Sequence, residues 1–119
     1  MNRMAAMLGA AVLLTATSAG ADRGVAIRAW PAFSFEPATV LVQVDVERDP
    51  DNRLLVVSGD SGEFFWSSQR QLAGEDAPRT TLFPCKELPA GHYEVEALLF
   101  GRDGKQRSAA RKYITVLPR

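Results

Sequence analysis

From Thr39 to Glu47 the chain alternates without a break, with Val40, Val42, Val44 and Val46 on one side and Leu41, Gln43, Asp45 and Glu47 on the other. Period two is the period of a β-strand, whose successive side chains point to opposite faces. A helix would scatter the four valines around its circumference, and β-branching would restrict each rotamer further. A strand half buried along its valine face is the conformation that fits. A lone strand cannot bury that face, so the chain must build at least two layers.

The rest of the chain supplies the other strands. Val25, Ile27 and Ala29 alternate with Ala26 and Arg28. Leu54 to Val57 is a short apolar run closed by Ser58-Gly59-Asp60-Ser61-Gly62, and Phe64-Phe65-Trp66 opens another strand. Thr80 to Leu88 reads as extended and contains Pro84, which lacks an N–H for the ladder and so belongs at an edge or a bulge. His92 to Phe100 alternates again, Gly101-Arg102-Asp103-Gly104 has hairpin-turn chemistry, and Arg107 to Val116 closes the chain. Glu47 to Arg53 is rich in turn-forming Asp, Asn and Pro, and residues 69–79 form the longest polar connection. Seven strands with turns every eight to twelve residues predict an all-β, antiparallel β-sandwich.

Composition narrows the function classes. Hydrophobic residues at 46% and charged residues at 24% are globular values and argue against disorder or coiled coil. Lys+Arg equals Asp+Glu at 14 each, so the basic surface that nucleic acid requires is not expected. One Cys and one His leave no disulfide framework and no ordinary zinc site. Stability must come from packing.

The first residues read as an address. Arg3 supplies a positive charge, Met4 to Leu14 carry none, and Ala19-Gly20-Ala21 precedes Asp22-Arg23. These are the three parts of a secretory signal peptide. The uncharged run is shorter than the ~20 apolar residues a spanning helix needs. Residues 1–21 are expected to be cleaved, leaving one domain over 22–119 in a secreted or periplasmic location, without a membrane span.

Leu88-Pro89-Ala90-Gly91-His92-Tyr93-Glu94-Val95, followed by Gly101-Arg102-Asp103-Gly104-Lys105, resembles the end of immunoglobulin-like and fibronectin type III-like domains of secreted bacterial proteins. The resemblance rests on motif over residues 79–117 and on architecture alone over 25–78. It implies an Ig-like sandwich in which Gly91 lies in the turn into the sixth strand. It also implies that Tyr93 forms a tyrosine corner, its hydroxyl bonding a backbone group a few residues upstream. Neither a Cys pair nor a Trp in the Leu54–Val57 strand is present, unlike antibody domains.

No catalytic set assembles from spacing. Blue copper needs two His and a Cys, and the chain has one of each, His92 and Cys85. Asp45, Glu47, Asp49, Asp51 and Asn52 crowd one strand end but lack the calcium-loop pattern and read as a solvated turn. Cys85 reads as a half-buried thiol acting as a small hydrophobe, with an intermolecular disulfide or a nucleophile as the less favoured roles. Glu94 and Glu96 share an exposed strand face. Neither metal nor cofactor is expected.

The aromatic strand is the informative feature. Phe64 and Trp66 point one way and Phe65 the other, so at least one large ring should lie outside the core or under the 69–79 loop. Phe64, Trp66 and Arg70 are the candidate binding residues. Trp30, with Phe33 and Phe35 after it, is expected to plug one end of the sandwich. The expected function is a non-catalytic module, not an enzyme, acting by contact with another envelope or secreted protein or as a structural component. The alternative is a small carbohydrate-binding module using the Phe64–Trp66 strand on a glycan.

Overall fold

A computed structural model describes residues 24–119, and the leader expected over 1–21 lies outside the described residues. The strands are β1 (Val25–Trp30), β2 (Phe33–Phe35), β3 (Ala38–Val46), β4 (Asn52–Asp60), β5 (Phe65–Gln71), β6 (Thr80–Leu88), β7 (Gly91–Gly101) and β8 (Gln106–Leu117). They form a three-stranded sheet of order β1-β3-β6 and a five-stranded sheet of order β2-β8-β7-β4-β5. Helical structure among the described residues is one short 3-10 turn, Gly74–Asp76, and none of their helices is long and apolar enough to cross a membrane.

The expected seven antiparallel strands become eight, and one pairing is parallel. Phe33, Ser34 and Phe35 lie beside Thr115, Val116 and Leu117 in the same direction. Three residues are too few to show a period, and a partner some eighty positions away leaves no local trace. Nor do these aromatics plug an end. Trp30 is 44% exposed, Phe33 70% and Phe35 55%, because Trp30 lies on the outward face of the edge strand β1 and the two phenylalanines lie on the edge strand β2.

The core lies between the sheets. Val40, Val42 and Val44 of β3 are fully buried against Leu55 and Val57 of β4 and Val95 and Ala97 of β7, with Ile114 and Val116 of β8 alongside. Each such aliphatic group contributes about 1.5–3 kcal/mol on leaving water, so the packing of the two apolar faces is the main source of stability. Tyr93 is buried at one end, and its hydroxyl donates to the Pro89 carbonyl at 2.8 Å. Gly91 keeps room for a neighbour, because a Cβ there would meet the Ser61 side chain at 3.0 Å.

The acidic turn between β3 and β4 is tied down by arginines from distant sequence. Arg107 on β8 donates to Asp51 at 2.7 Å and to Asp49 at 2.9 Å, and Arg102 stands 3.2 Å from Asp51. Asn52 is buried and donates to the Glu47 carbonyl at 2.9 Å. The turn therefore anchors the β7–β8 hairpin to the β3–β4 corner.

Candidate functional site

Each sheet has an edge strand bordering the same cleft, β5 in the larger sheet and β6 in the smaller. Pro84 sits on β6, opposite Leu41, where the missing N–H is tolerated because the strand is an edge. Two open edges facing across a core leave a gap between them. Here it is a cleft of about 280 Å³ lined by Phe64, Trp66, Ser67, Ser68, Arg70, Phe83, Pro84, Cys85, Lys86 and Leu88.

The wall on the β5 side is set by cross-strand register. Trp66 lies directly opposite Gly59 on β4, and its indole packs where a side chain at Gly59 would be, at 2.5 Å from a built Cβ. Trp66 is half-buried against the core, while Phe65, one residue earlier, turns outward at 62% exposure. The Trp66 Nε1 is buried with no hydrogen-bond partner among the described residues. An unmet N–H costs about 1–3 kcal/mol, so packing on Gly59 holds the ring there, not its donor. Phe64, just before β5, meets the Tyr93 ring edge-on at 6.4 Å between centroids and 80° between planes.

On the β6 side, Phe83 and Cys85 point into the core in alternation, and the alternation then breaks. Val40 pairs with Cys85 while Ala38 pairs with Leu88, so β6 carries an extra residue against β3. Glu87 takes up this bulge at a φ of 58°, uncommon for a residue with a side chain. Past the bulge Leu88 is buried again, and Lys86 lines the cleft. Arg70 reaches across from β5, its guanidinium carbon 5.0 Å from the centre of the Phe83 ring, a cation–π contact that ties the two edges together. Burial pushes the Cys85 thiol up to about 11, so it is a protonated, weakly nucleophilic group.

Phe64, Trp66 and Arg70 are thus brought together in one cleft. Phe83, Lys86 and Leu88 were not singled out by sequence reasoning. The signal for them was Pro84, which marks its strand as an edge and hence as the border of an open flank.

Other candidate groups lie apart. His92 is exposed on β7, with Nδ1 3.1 Å from the Thr115 hydroxyl, whereas Cys85 is buried on the other sheet, so they form no catalytic pair. Glu94 and Glu96 share Arg111, at 3.0 and 3.2 Å, on the outer face of the larger sheet. Asp49 and Asp51 are occupied by Arg107 and Arg102. Among the described residues no group of three or more His, Cys, Asp or Glu could hold a metal ion.

No protein-family model and no curated protein matches the chain. Among solved structures it is similar to a superoxide reductase (neelaredoxin) from Ignicoccus hospitalis, with a TM-score of 0.61 and 19% identity over 80% of this chain and 81% of that one. The likeness is one of fold.

That finding corrects two expectations. The immunoglobulin-like or fibronectin type III-like assignment gives way to a fold shared with a superoxide reductase. The residues that carried the assignment belong to one turn and one hairpin, local features that unrelated two-sheet folds can share. The expectation of a non-catalytic, protein-contact or carbohydrate-binding module, and with it the exclusion of an enzyme, falls too, because a solved protein of this fold is an oxidoreductase. One-electron chemistry of that kind is carried by a metal or an organic cofactor. A chain with a single imidazole and a single thiol, on different sheets and on different faces, does not fit a protein-held redox metal of the imidazole and thiolate type.

Proposed function

We propose that the chain is a small-molecule-binding protein of the cell envelope whose site is the cleft between β5 and β6. The observation that carries this reading is the convergence of two aromatic walls, from Phe64 and Trp66 on one sheet and Phe83 on the other, on one concave space bridged by Arg70. Largely apolar concave sites with a few polar groups are where small ligands bind. The envelope location rests on the leader-like pattern of residues 1–21. Two-dimensional NMR with a panel of small aromatic compounds, neutral, acidic and basic, tests the site. Shifts concentrated at residues 64–70 and 83–88 are expected, and shifts that are absent or scattered over the surface would end the reading. Export of the full chain fused to a reporter, with and without residues 1–21, tests the location.

A second reading, an oxidoreductase, is favoured by the shared fold with a superoxide reductase. Cys85 is the one thiol in the cleft, and the donor set lacks the further ligands a redox metal would use. The purified protein, supplied with a reductant, should consume superoxide faster than the reductant alone on this reading. Superoxide decay left unchanged by the protein would remove it.

A further inference from the structure

Resting on the proposed cleft, we infer that its ligand is a small aromatic carboxylate, held by its ring between the walls and by its charge at Arg70 and Lys86. These two are the only charged residues lining the cleft, and both are cationic. Neither has a carboxylate within ion-pair distance among the described residues, although four other arginines, Arg28, Arg102, Arg107 and Arg111, do. The chain as a whole is balanced at 14 basic and 14 acidic residues, so the cationic lining is a local arrangement and not a consequence of a basic protein.

The bulge sharpens the asymmetry. Lys86 lines the cleft, while Glu87, its neighbour in the chain and the nearest candidate counter-charge in sequence, does not. Arg70 is already positioned by the Phe83 ring, and a guanidinium so engaged through its charge keeps its N–H donors for a carboxylate, which it can grip through two parallel bonds. Size sets the body of the ligand. A cavity of ~150 Å³ takes benzene, so a cleft of about 280 Å³ has room for an aromatic ring with a short chain.

The test uses three compounds of one shape, 3-phenylpropanoate, 3-phenylpropanamide and 3-phenylpropylamine, titrated into the purified protein and followed by NMR at residues 64–70 and 83–88. The acid should bind about tenfold tighter than the amide, the size of effect expected for a charge-assisted pair, and the amine weakest. Arg70→Gln should narrow the gap between acid and amide, weakening acid binding more than amide binding. Lys86→Gln should narrow the gap as well, and Arg70→Lys should restore only part of it. Equal binding of acid and amide to the parent protein would overturn the inference and leave the cleft as a neutral site. If none of the three moves those resonances, the binding reading itself fails. A preserved acid preference in both Arg70→Gln and Lys86→Gln would place the charge recognition elsewhere and also overturn the inference.

Discussion

Trp66 and Gly59 are directly opposed across β5 and β4, and the indole fills the space that any side chain at Gly59 would occupy, with ring atoms at 2.5 Å from a built Cβ. The pair fixes one wall of the cleft. A glycine in a strand interior loses packing and entropy, and an aromatic ring laid over it recovers part of both.

Gly59→Ala should therefore destabilise the domain by about 1–3 kcal/mol through overpacking. Urea unfolding of the single variants and of Gly59→Ala/Trp66→Ala would measure the coupling. The double variant is expected to lose less than the sum of the two singles, since truncating the indole removes the collision. Strict additivity would show that the ring does not pack on that glycine.

Tyr93→Phe removes the hydroxyl that bonds the Pro89 carbonyl and keeps the edge-on contact with Phe64. A loss of about 1 kcal/mol is expected for one intramolecular hydrogen bond, which in a domain of this size lowers Tm by roughly 4–8 °C. Thermal unfolding by circular dichroism reads it. An unchanged Tm would show that water replaces the bond without loss.

Acid stability should report on Asp51. The backbone N–H of Arg102 and the guanidinium of Arg107 hold its carboxyl below the ordinary aspartate range. The unfolded chain then binds a proton that the folded chain refuses, so the contribution is present above that range and is lost as pH falls through and below it. Urea midpoints measured from pH 6 down to pH 2 should fall less steeply for Arg107→Gln than for the parent below about pH 4. Parallel curves would show that the ion pair does not couple to folding.

Cys85 offers a reading at the other end of the pH scale. Burial pushes its thiol from the ordinary cysteine range up to about 11. The folded state disfavours the thiolate, so this contribution to stability is whole below the unfolded value and is lost as pH rises toward the folded one. At pH 8 a small alkylating reagent should modify Cys85 about a hundredfold more slowly in the folded protein than in urea, following the thiolate fraction. Equal rates would mean that the thiol is open to solvent and unperturbed.

Local chemistry made much of the architecture legible. The valine stripe of β3, the alternation in β7 and the edge-marking Pro84 are consequences of side-chain period and of a missing N–H, and both can be read residue by residue. Phe64, Trp66 and Arg70 stood out as rings left over on one strand beside a charge in the connection that follows, without any sign that they line a cleft. The β2 strand was not legible, since it depends on parallel pairing with β8 far along the chain. The lining by β6 was hidden as well, because Phe83 reads as an ordinary member of an extended segment and a bulge against β3 resets the facing of Leu88.

The amino-acid order alone thus determined that this chain forms strands, which faces of them are apolar, and that neither a disulfide nor a cluster of imidazoles supports it. Each of these follows from counts and from a two-residue period. Only the tertiary structure decided which strands became edges, that two edges face each other with Arg70 over Phe83, and that the fold is one shared with a superoxide reductase. Those outcomes depend on which distant segments pair, and pairing is chosen by the combined burial of both sheets, a quantity that no single stretch of sequence contains.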